Sequence, residues 1–206
     1  MRRRLFLLGA GTALSGCTSI IEGVLPGKGE GPQLYVLTPK TTFNPDLPRI
    51  ASQILVDVPL APAEIDTNRI VLSRSPVTVD FFGNAAWPDR APIMIQTLLV
   101  ESFESTGKTI AIGRESVGLR ADYILKPELR RFTAVYDAPE GPPIVTVLVN
   151  IRLVKMPERS IIAQLNADAR ERAKRNEMQA IVEAFDEALG KILKRVIEWT
   201  LTTIRQ

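Results

Sequence analysis

Regular alternation of apolar and polar residues over 121–154 constrains the fold of this 206-residue chain more than any other sequence feature. The two-residue period runs from Ala121 to Phe132, and again from Ile144 to Val154 after the Pro-rich loop 137–143. That period is typical of strands with one buried and one wet face. It predicts a long antiparallel hairpin. We expect one face to carry Tyr123, Leu125, Leu129, Val145, Val147, Val149, Ile151 and Leu153, and the other to carry Lys126, Glu128 and Arg130.

Pro127 interrupts the first strand of this predicted hairpin. Proline has no amide hydrogen to donate, and it is confined in sheets to edge strands and bulges. We therefore expect an edge position or a bulge here. An exposed edge can pair with a strand of another chain, which makes the Pro127 strand a candidate docking edge, although the missing donor would also weaken such pairing.

The last element is predicted to be an amphipathic helix from Asn176 to Ile204. Its apolar residues recur every three or four positions, the spacing of one helix face. A helix lying on a membrane is the alternative, but the mixed acidic and basic residues of the polar face favour water over anionic lipid. The apolar stripe that should cover a sheet consists of Met178, Ile181, Phe185, Leu189, Ile192 and Val196.

Short β-branched or aromatic runs and one further helix complete the expected domain. The helix should span Pro92–Ser105 and stop at Gly107. These patterns together predict a single α+β domain whose mixed, mainly antiparallel sheet is covered on one face by the two helices. The remaining strands are expected at Gln33–Leu37, Ile54–Val58, Arg69–Leu72, Val77–Phe82, Thr109–Ile112 and Ile161–Ala167.

The N-terminus has the organisation of a bacterial lipoprotein signal. Arg2, Arg3 and Arg4 precede an apolar run, Leu5–Leu14, about half as long as the roughly 20 residues of a spanning helix. The run ends in Leu14, Ser15, Gly16 and Cys17, which resembles the lipobox, and Cys17 is the only cysteine of the chain. We expect residues 1–16 to be removed and Cys17 to be acylated.

The export route and the final membrane are less sharply indicated. Arg3, Arg4, Phe6 and Leu7 fit the core of a twin-arginine signal, but an ordinary Sec signal with a basic start explains them equally well. The residue after the cysteine is Thr18. An aspartate at this position would resemble an inner-membrane retention signal. We therefore expect outer-membrane anchoring on the periplasmic face.

A flexible tether should separate the lipid from the folded domain. Six of the ten residues 23–32 are Gly or Pro, which no packed element tolerates. The predicted organisation is a signal peptide over 1–16, a lipidated cysteine and tether over 17–33, and one domain over 34–206. As a random coil, the 16 residues from Thr18 to Gln33 span about 20–24 Å.

The composition argues against several functions. The chain has no histidine and a formal charge of +3, all of which the first three arginines supply. It therefore lacks a His-based triad or metal cluster, and a mature charge near zero does not suit nucleic-acid binding. We expect no enzyme activity and no cofactor. Arg130 and Arg131 could bind a phosphate headgroup, but two arginines on a wet strand face are more often simply solvated.

Local patterns in order along the chain resemble the family of ABC-type transport auxiliary lipoprotein components, the PqiC-like family. They are the lipobox, Tyr35-Val36-Leu37, Arg69-Ile70-Val71, Trp87 before the Leu98 helix, Ala121-Asp122-Tyr123-Ile124-Leu125 with Glu128-Leu129 and Phe132, and Ala184-Phe185, Ala188-Leu189 and Trp199-Thr200. The resemblance covers residues 34–204.

This resemblance implies a role rather than a catalytic site. It implies an accessory lipoprotein of a system that moves lipids or other hydrophobic molecules between the inner and outer membranes. The implied partners are an MCE-domain protein, an inner-membrane permease and ATPase, and copies of the chain itself. A structural or assembly lipoprotein of another envelope complex, and a protein that carries lipid itself, remain alternatives.

Replacing Cys17 with Ser should release the protein from membranes or leave its signal uncleaved, because the thiol that receives the lipid is gone. Acyl chains hold a protein at a membrane through about 0.8 kcal/mol per buried methylene, and two chains already anchor stably. Membrane fractionation and intact-protein mass spectrometry check this. A wild-type protein that is soluble and still begins at Met1 would contradict it.

Overall fold

The computed structural model describes residues 31–114 and 120–204. Within these ranges the chain forms one eight-stranded mixed sheet and two helices. In chain order the elements are β1 (Gln33–Leu34), β2 (Ile50–Val56), β3 (Arg69–Ser73), β4 (Asp80–Ala86), α1 (Ala91–Thr106), β5 (Thr109–Arg114), β6 (Tyr123–Val135), β7 (Ile144–Lys155), β8 (Ser160–Arg172) and α2 (Met178–Ile204).

Strand β6 lies at the centre of the sheet. One side pairs with β7 over its full length, and β7 pairs in turn with β8; both pairings are antiparallel. The other side of β6 is shared by two shorter parallel partners, β2 near residues 123–125 and β3 near residues 134–135. β5 joins β2, and β4 and β1 continue from β3. The prediction of a mixed α+β sheet built on a long hairpin is confirmed.

The helices and one face of the sheet enclose a single apolar core. The predicted stripe of α2 is buried in this core, packed on β7, β8 and α1, so the helix lies on the sheet rather than on a membrane. Three fully buried aromatic rings meet at the centre: the ring centroids of Phe132 and Phe185 are 4.8 Å apart, and Trp87 lies 5.3 Å from Phe185. Aromatic pairs at these distances add to the stability gained from burial.

An extended strap over 35–48 binds both helices before the chain enters β2. The backbone amide of Thr38 donates to Asp186 of α2 at 2.7 Å, and that of Asn44 donates to Glu198 at 2.9 Å. The strap's own side chains Leu37 and Leu47 are buried in the core. The predicted strand over 33–37 is therefore shorter, because the backbone leaves the sheet after Leu34 to bind α2.

The bounds of β4 and β8 also differ from the predicted ones. β4 begins at Asp80 and not at Val77, because residues 74–79 form a turn in which Thr78 donates its amide to the Ser75 carbonyl. β8 continues to Arg172 because the β7 ladder extends that far. The predicted stop of α1 is confirmed: Gly107 has a φ of 59°, the left-handed conformation of a helix cap.

The expectation of an edge position for Pro127 is wrong, since β6 has neighbours on both sides. The amides of Asp57 and Leu60 donate to the carbonyls of Leu125 and Pro127, so these β6 residues direct their backbone groups away from β7. On that side β2 has already ended at Val56. Pro127 is tolerated in a central strand because the donor it lacks would point to this gap and not to the β7 ladder.

Replacing Phe185 with Ala should lower the free energy of unfolding by about 3–5 kcal/mol, since it leaves a cavity among three buried rings. Exposed Glu183 on the same helix supplies the matched control, and its replacement by Ala should change stability by less than about 0.5 kcal/mol. Urea unfolding followed by circular dichroism measures both. Equal effects of the two changes would refute the packing of α2 on the sheet.

Candidate docking surfaces

The residues predicted to carry export and lipidation lie outside the described residues. Their roles stay predictions from the sequence. These residues are Arg3, Arg4, Phe6, Leu7, Leu14, Ser15, Gly16 and Cys17.

Strand β8 presents a long edge. Within the described part of the chain it pairs only with β7, and its 13 residues extend about 43 Å. A strand directs its backbone amides and carbonyls alternately to its two sides, so half of those of β8 face away from β7. The sequence predicted the Pro127 strand as a possible edge, whereas this edge of the sheet is β8. The sequence could not show this because the pairing partners of β6 are distant in the chain.

The two halves of this edge differ in character. The C-terminal half is held by ion pairs: Glu171 contacts Lys191 of α2, and Arg172 contacts Asp137 at 2.6 Å. The hydrogen bond from Arg172 lowers the pKa of the Asp137 carboxyl. The N-terminal half, 160–167, has no charged residue, and Ile161 is 60% exposed. Natural edges are usually blunted by Lys or Pro, and this half has neither.

The sheet face opposite the helices is open and mostly polar. Glu128, Asn150 and Asn166 stand side by side on β6, β7 and β8. Asn150 is completely buried; its amide donates to the Asn166 side-chain oxygen, and its own oxygen has no partner among the described residues. Arg130 and Arg152 both contact Glu128, and the hydrogen bond from Arg130 is the largest cause of the lowered pKa of that carboxyl.

A bulge in β6 brings two arginines to this open face. Leu129 is opposite Val149, but Arg131 is opposite Leu148, so Arg130 is the extra residue. In a regular strand consecutive side chains point to opposite faces, whereas a bulge re-aims one of them. Both arginines are exposed and line the same cavity. The sequence indicated a bulge near Pro127 but could not place it three residues further on.

That cavity has a volume of about 560 Å³ and lies between β3, β6 and the turn 74–79. Arg74 contributes a third guanidinium, which lies 5.0 Å from the ring centroid of Tyr136. A larger cavity of about 820 Å³ lies at the other end of β6. It is lined by the apolar residues Leu55, Ile124 and Ile161 and by the basic residues Arg120, Lys126 and Arg159.

Over residues 31–114 and 120–204 no helix is long and apolar enough to cross a membrane. In the same ranges no group of His, Cys, Asp and Glu side chains could hold a metal ion.

The fold thus defines an α+β domain whose helices cover one sheet face. The other face and the β8 edge have no covering element among residues 31–114 and 120–204. This chain belongs to the family of ABC-type transport auxiliary lipoprotein components, whose model matches residues 35–196. The resemblance drawn from the residue patterns is confirmed. Membership makes the protein a lipoprotein component of the cell envelope, auxiliary to ABC-type transport.

Individual similar proteins add detail on fold and length. A crystal structure of a protein from Xanthomonas campestris is 29% identical, covers 84% of this chain and 97% of its own, and superposes with a TM-score of 0.79. Another crystal structure, of an uncharacterized protein, shares the fold at 15% identity, with a TM-score of 0.62 over 79% of this chain. An uncharacterized protein from Bradyrhizobium diazoefficiens is 28% identical over 173 residues, but the chain spans only 45% of that protein.

Replacing Asn150 with Val should stabilise the domain by about 1 kcal/mol, because it removes a buried oxygen that has no partner. Replacing Asn166 with Val deletes the same hydrogen bond but leaves the buried Asn150 amide unpaired, and should destabilise by about 1 kcal/mol. Thermal unfolding of both variants measures the two changes in stability, which should have opposite signs. A loss of stability in both would contradict the account of Asn150.

Proposed function

We propose that the protein is held by acylated Cys17 at the periplasmic face of the outer membrane. There it is the accessory component of an MCE-type transport system that moves lipids or other hydrophobic molecules between the two membranes. The observation that carries this proposal is the match of the auxiliary lipoprotein family over residues 35–196. The lipobox at Leu14–Cys17 and the following Thr18 support the anchor and its membrane.

The protein acts in this proposal by docking rather than by catalysis. The chain has no histidine and its only cysteine is the predicted lipid attachment site, so the usual nucleophile–base pairs are absent from the sequence. The tether spans about 20–24 Å as a coil, which is too short for one anchored copy to carry cargo across the periplasm. The transported molecule must therefore be handed over by a partner that reaches this membrane.

The N-terminal half of the β8 edge is the proposed contact for that partner. It offers backbone donors and acceptors that no described residue pairs, no charge, and the exposed side chain of Ile161. An extended segment of the MCE-type protein would add to the sheet as a further strand, with main-chain hydrogen bonds giving affinity and side-chain contacts giving selectivity.

A photo-crosslinking residue in place of Ile161, in intact cells, tests both the partner and the surface. We expect mass spectrometry of the adduct to identify an MCE-domain protein. The same residue in place of Ile110, which is 68% exposed on the opposite edge strand β5, is the matched control and should give no such adduct.

A second pair of variants measures the consequence for the cell. Replacing Ile161 with Lys places a charge on the proposed contact and should weaken the outer-membrane permeability barrier; replacing Ile110 with Lys should not. A partner captured only from β5 would refute the β8 surface but not the role. Capture of a different envelope machine, with an intact barrier after deletion of the gene and any paralogue, would replace the proposal by an assembly role.

A further inference from the structure

The arginine cavity, defined as Arg74, Arg130, Arg131 and the surrounding residues of the 560 Å³ pocket, has a composition that the docking role does not use. Its basic residues come from two separated segments, the turn after β3 and the bulge of β6. Glu64 is the only acidic residue among the described residues that line it. Three guanidinium groups against one carboxylate give the cavity a positive potential suited to an anion.

The three arginines differ in whether they form an ion pair with a carboxylate. Arg130 is paired with Glu128, its Nε lying 3.0 Å from a carboxylate oxygen. Arg74 and Arg131 have no carboxylate within 4.0 Å in the described part of the chain; Arg74 instead lies over the Tyr136 ring. The phenol of Tyr136 donates to Asn176 at 2.8 Å, and burial raises its pKa, so it remains neutral and does not balance Arg74.

The local backbone holds these groups in place. The Tyr136 amide donates to the Ser73 carbonyl at 2.8 Å, which fixes the end of β6 beside the turn that carries Arg74. Within the turn the Ser73 hydroxyl donates to the Ser75 carbonyl at 2.6 Å, and the Ser75 and Thr78 hydroxyls are 2.9 Å apart. An anion entering here would meet a backbone that is already ordered, which lowers the cost of binding.

Apolar groups adjoin the charged ones. Val71, Val79 and Val135 line the cavity, and Val79 is 49% exposed. Val77, in the same turn, is 90% exposed. Solvation of the arginines alone does not explain exposed valines beside them. A positive cavity with an apolar rim matches an amphiphile whose anionic head enters the cavity and whose chains lie against the valines.

The chain enters the sheet at β1, which only β4 separates from the cavity strand β3. β1 runs parallel to β4, with Gln33 opposite Ala85. Asp80, next to the turn 74–79, is therefore five residues away along β4, at most about 17 Å. A coil of the sixteen residues from Thr18 to Gln33 spans about 20–24 Å, so a lipid on Cys17 would keep the domain that begins at Gln33 close to a bilayer.

We propose that the arginine cavity binds the phosphate of an anionic phospholipid headgroup, with Arg74 and Arg131 as its ligands and Val77 and Val79 against the lipid chains. Arginine is well suited to phosphate because its planar fork donates two parallel hydrogen bonds. The inference rests on the proposed lipid anchor for access to a membrane, but not on the transport partner or on the β8 edge.

The test uses the full chain with Cys17 replaced by Ser, so that no acyl group of its own can occupy the cavity. Isothermal titration with dihexanoylphosphatidylglycerol, kept below its micelle-forming concentration, should show saturable binding at one site. Inorganic phosphate distinguishes the source of the anion, and dihexanoylphosphatidylcholine, whose phosphate is compensated by choline, tests the need for net charge. We expect the order phosphatidylglycerol, then phosphate, then phosphatidylcholine.

The variant Arg74→Gln with Arg131→Gln should weaken phosphatidylglycerol binding about thirty-fold, from about 1 kcal/mol for each arginine. Arg170→Gln with Arg195→Gln is the control, because both residues are exposed, outside the cavity, and carry the same total charge. It should bind like the parent. Near-ultraviolet circular dichroism confirms that each variant is folded, and the single Arg131→Gln variant serves if the double one is not.

Each outcome decides the proposal. Binding of phosphatidylglycerol and phosphate with equal affinity, lost in the cavity variant only, would support the phosphate site while removing the role of the valines. Absence of saturable binding by either anion, or an equal loss in the cavity and control variants, would overturn it. Either failure would leave the partner crosslink at Ile161 unaffected, so it is distinguishable from failure of the proposed transport role.

Discussion

Everything in this domain depends on one strand being longer than the partners on one of its sides. β6 pairs with β7 from Tyr123 to Val135, but its other side is divided between β2 and β3, which bind only its two ends. The middle of that side is bridged by Leu60 alone among the described residues. A central strand with an interrupted ladder can accept residues that a continuous ladder would exclude. Pro127 lies at this interruption.

The bulge at Arg130 couples the core to the open face. Before it, Leu125 and Leu129 are buried against the helices; after it, the buried residues are Phe132 and Ala134, so the phase of the alternation has changed. Without the extra residue Phe132 would turn to the open face and Arg131 into the core, since a slip of one residue exchanges the two faces. The aromatic cluster and the arginine cavity are thus two consequences of the same irregularity.

The sequence predicted what depends on local periodicity and missed what depends on distant pairing. The stripe of α2 and the stop at Gly107 follow from neighbours three or four residues away, and both are confirmed. The edge role of Pro127 was wrong, because whether a strand is an edge depends on β2 and β3, segments about 70 and 60 residues upstream in the chain. Proline itself marked an irregular ladder correctly, but not which side of the strand carried it.

The candidate surfaces show the same division. Arg130 and Arg131 are conspicuous as a pair, and by alternation alone one of them should face the core. Only the bulge brings both to the open face, and only the pairing of β3 with β6 adds Arg74 beside them. The uncharged half of β8 could be read from the sequence, but its lack of a partner could not, because the chain continues into α2 and α2 covers a face of β8 rather than its edge.

The two proposed contacts are compatible because they lie at opposite ends of β6. Ile161 is in register, through Val154, with Ile124, whereas the cavity is lined by β6 from Arg130 onward. The strand order from the chain entry to the free edge is β1, β4, β3, β6, β7 and β8, five spacings or about 24 Å. The arginine cavity lies between β3 and β6, about 12 Å from β1 and about 12 Å from β8 by the same spacing. A domain bound to headgroups there would still expose β8 to a partner arriving from the periplasm. The strap over 35–48 binds α2 through Asp186 and Glu198, and the side of α2 that stays exposed is charged, with Glu183, Glu187, Lys191 and Arg195. The open sheet face and the β8 edge carry the two proposed contacts, one for a lipid headgroup and one for a partner strand.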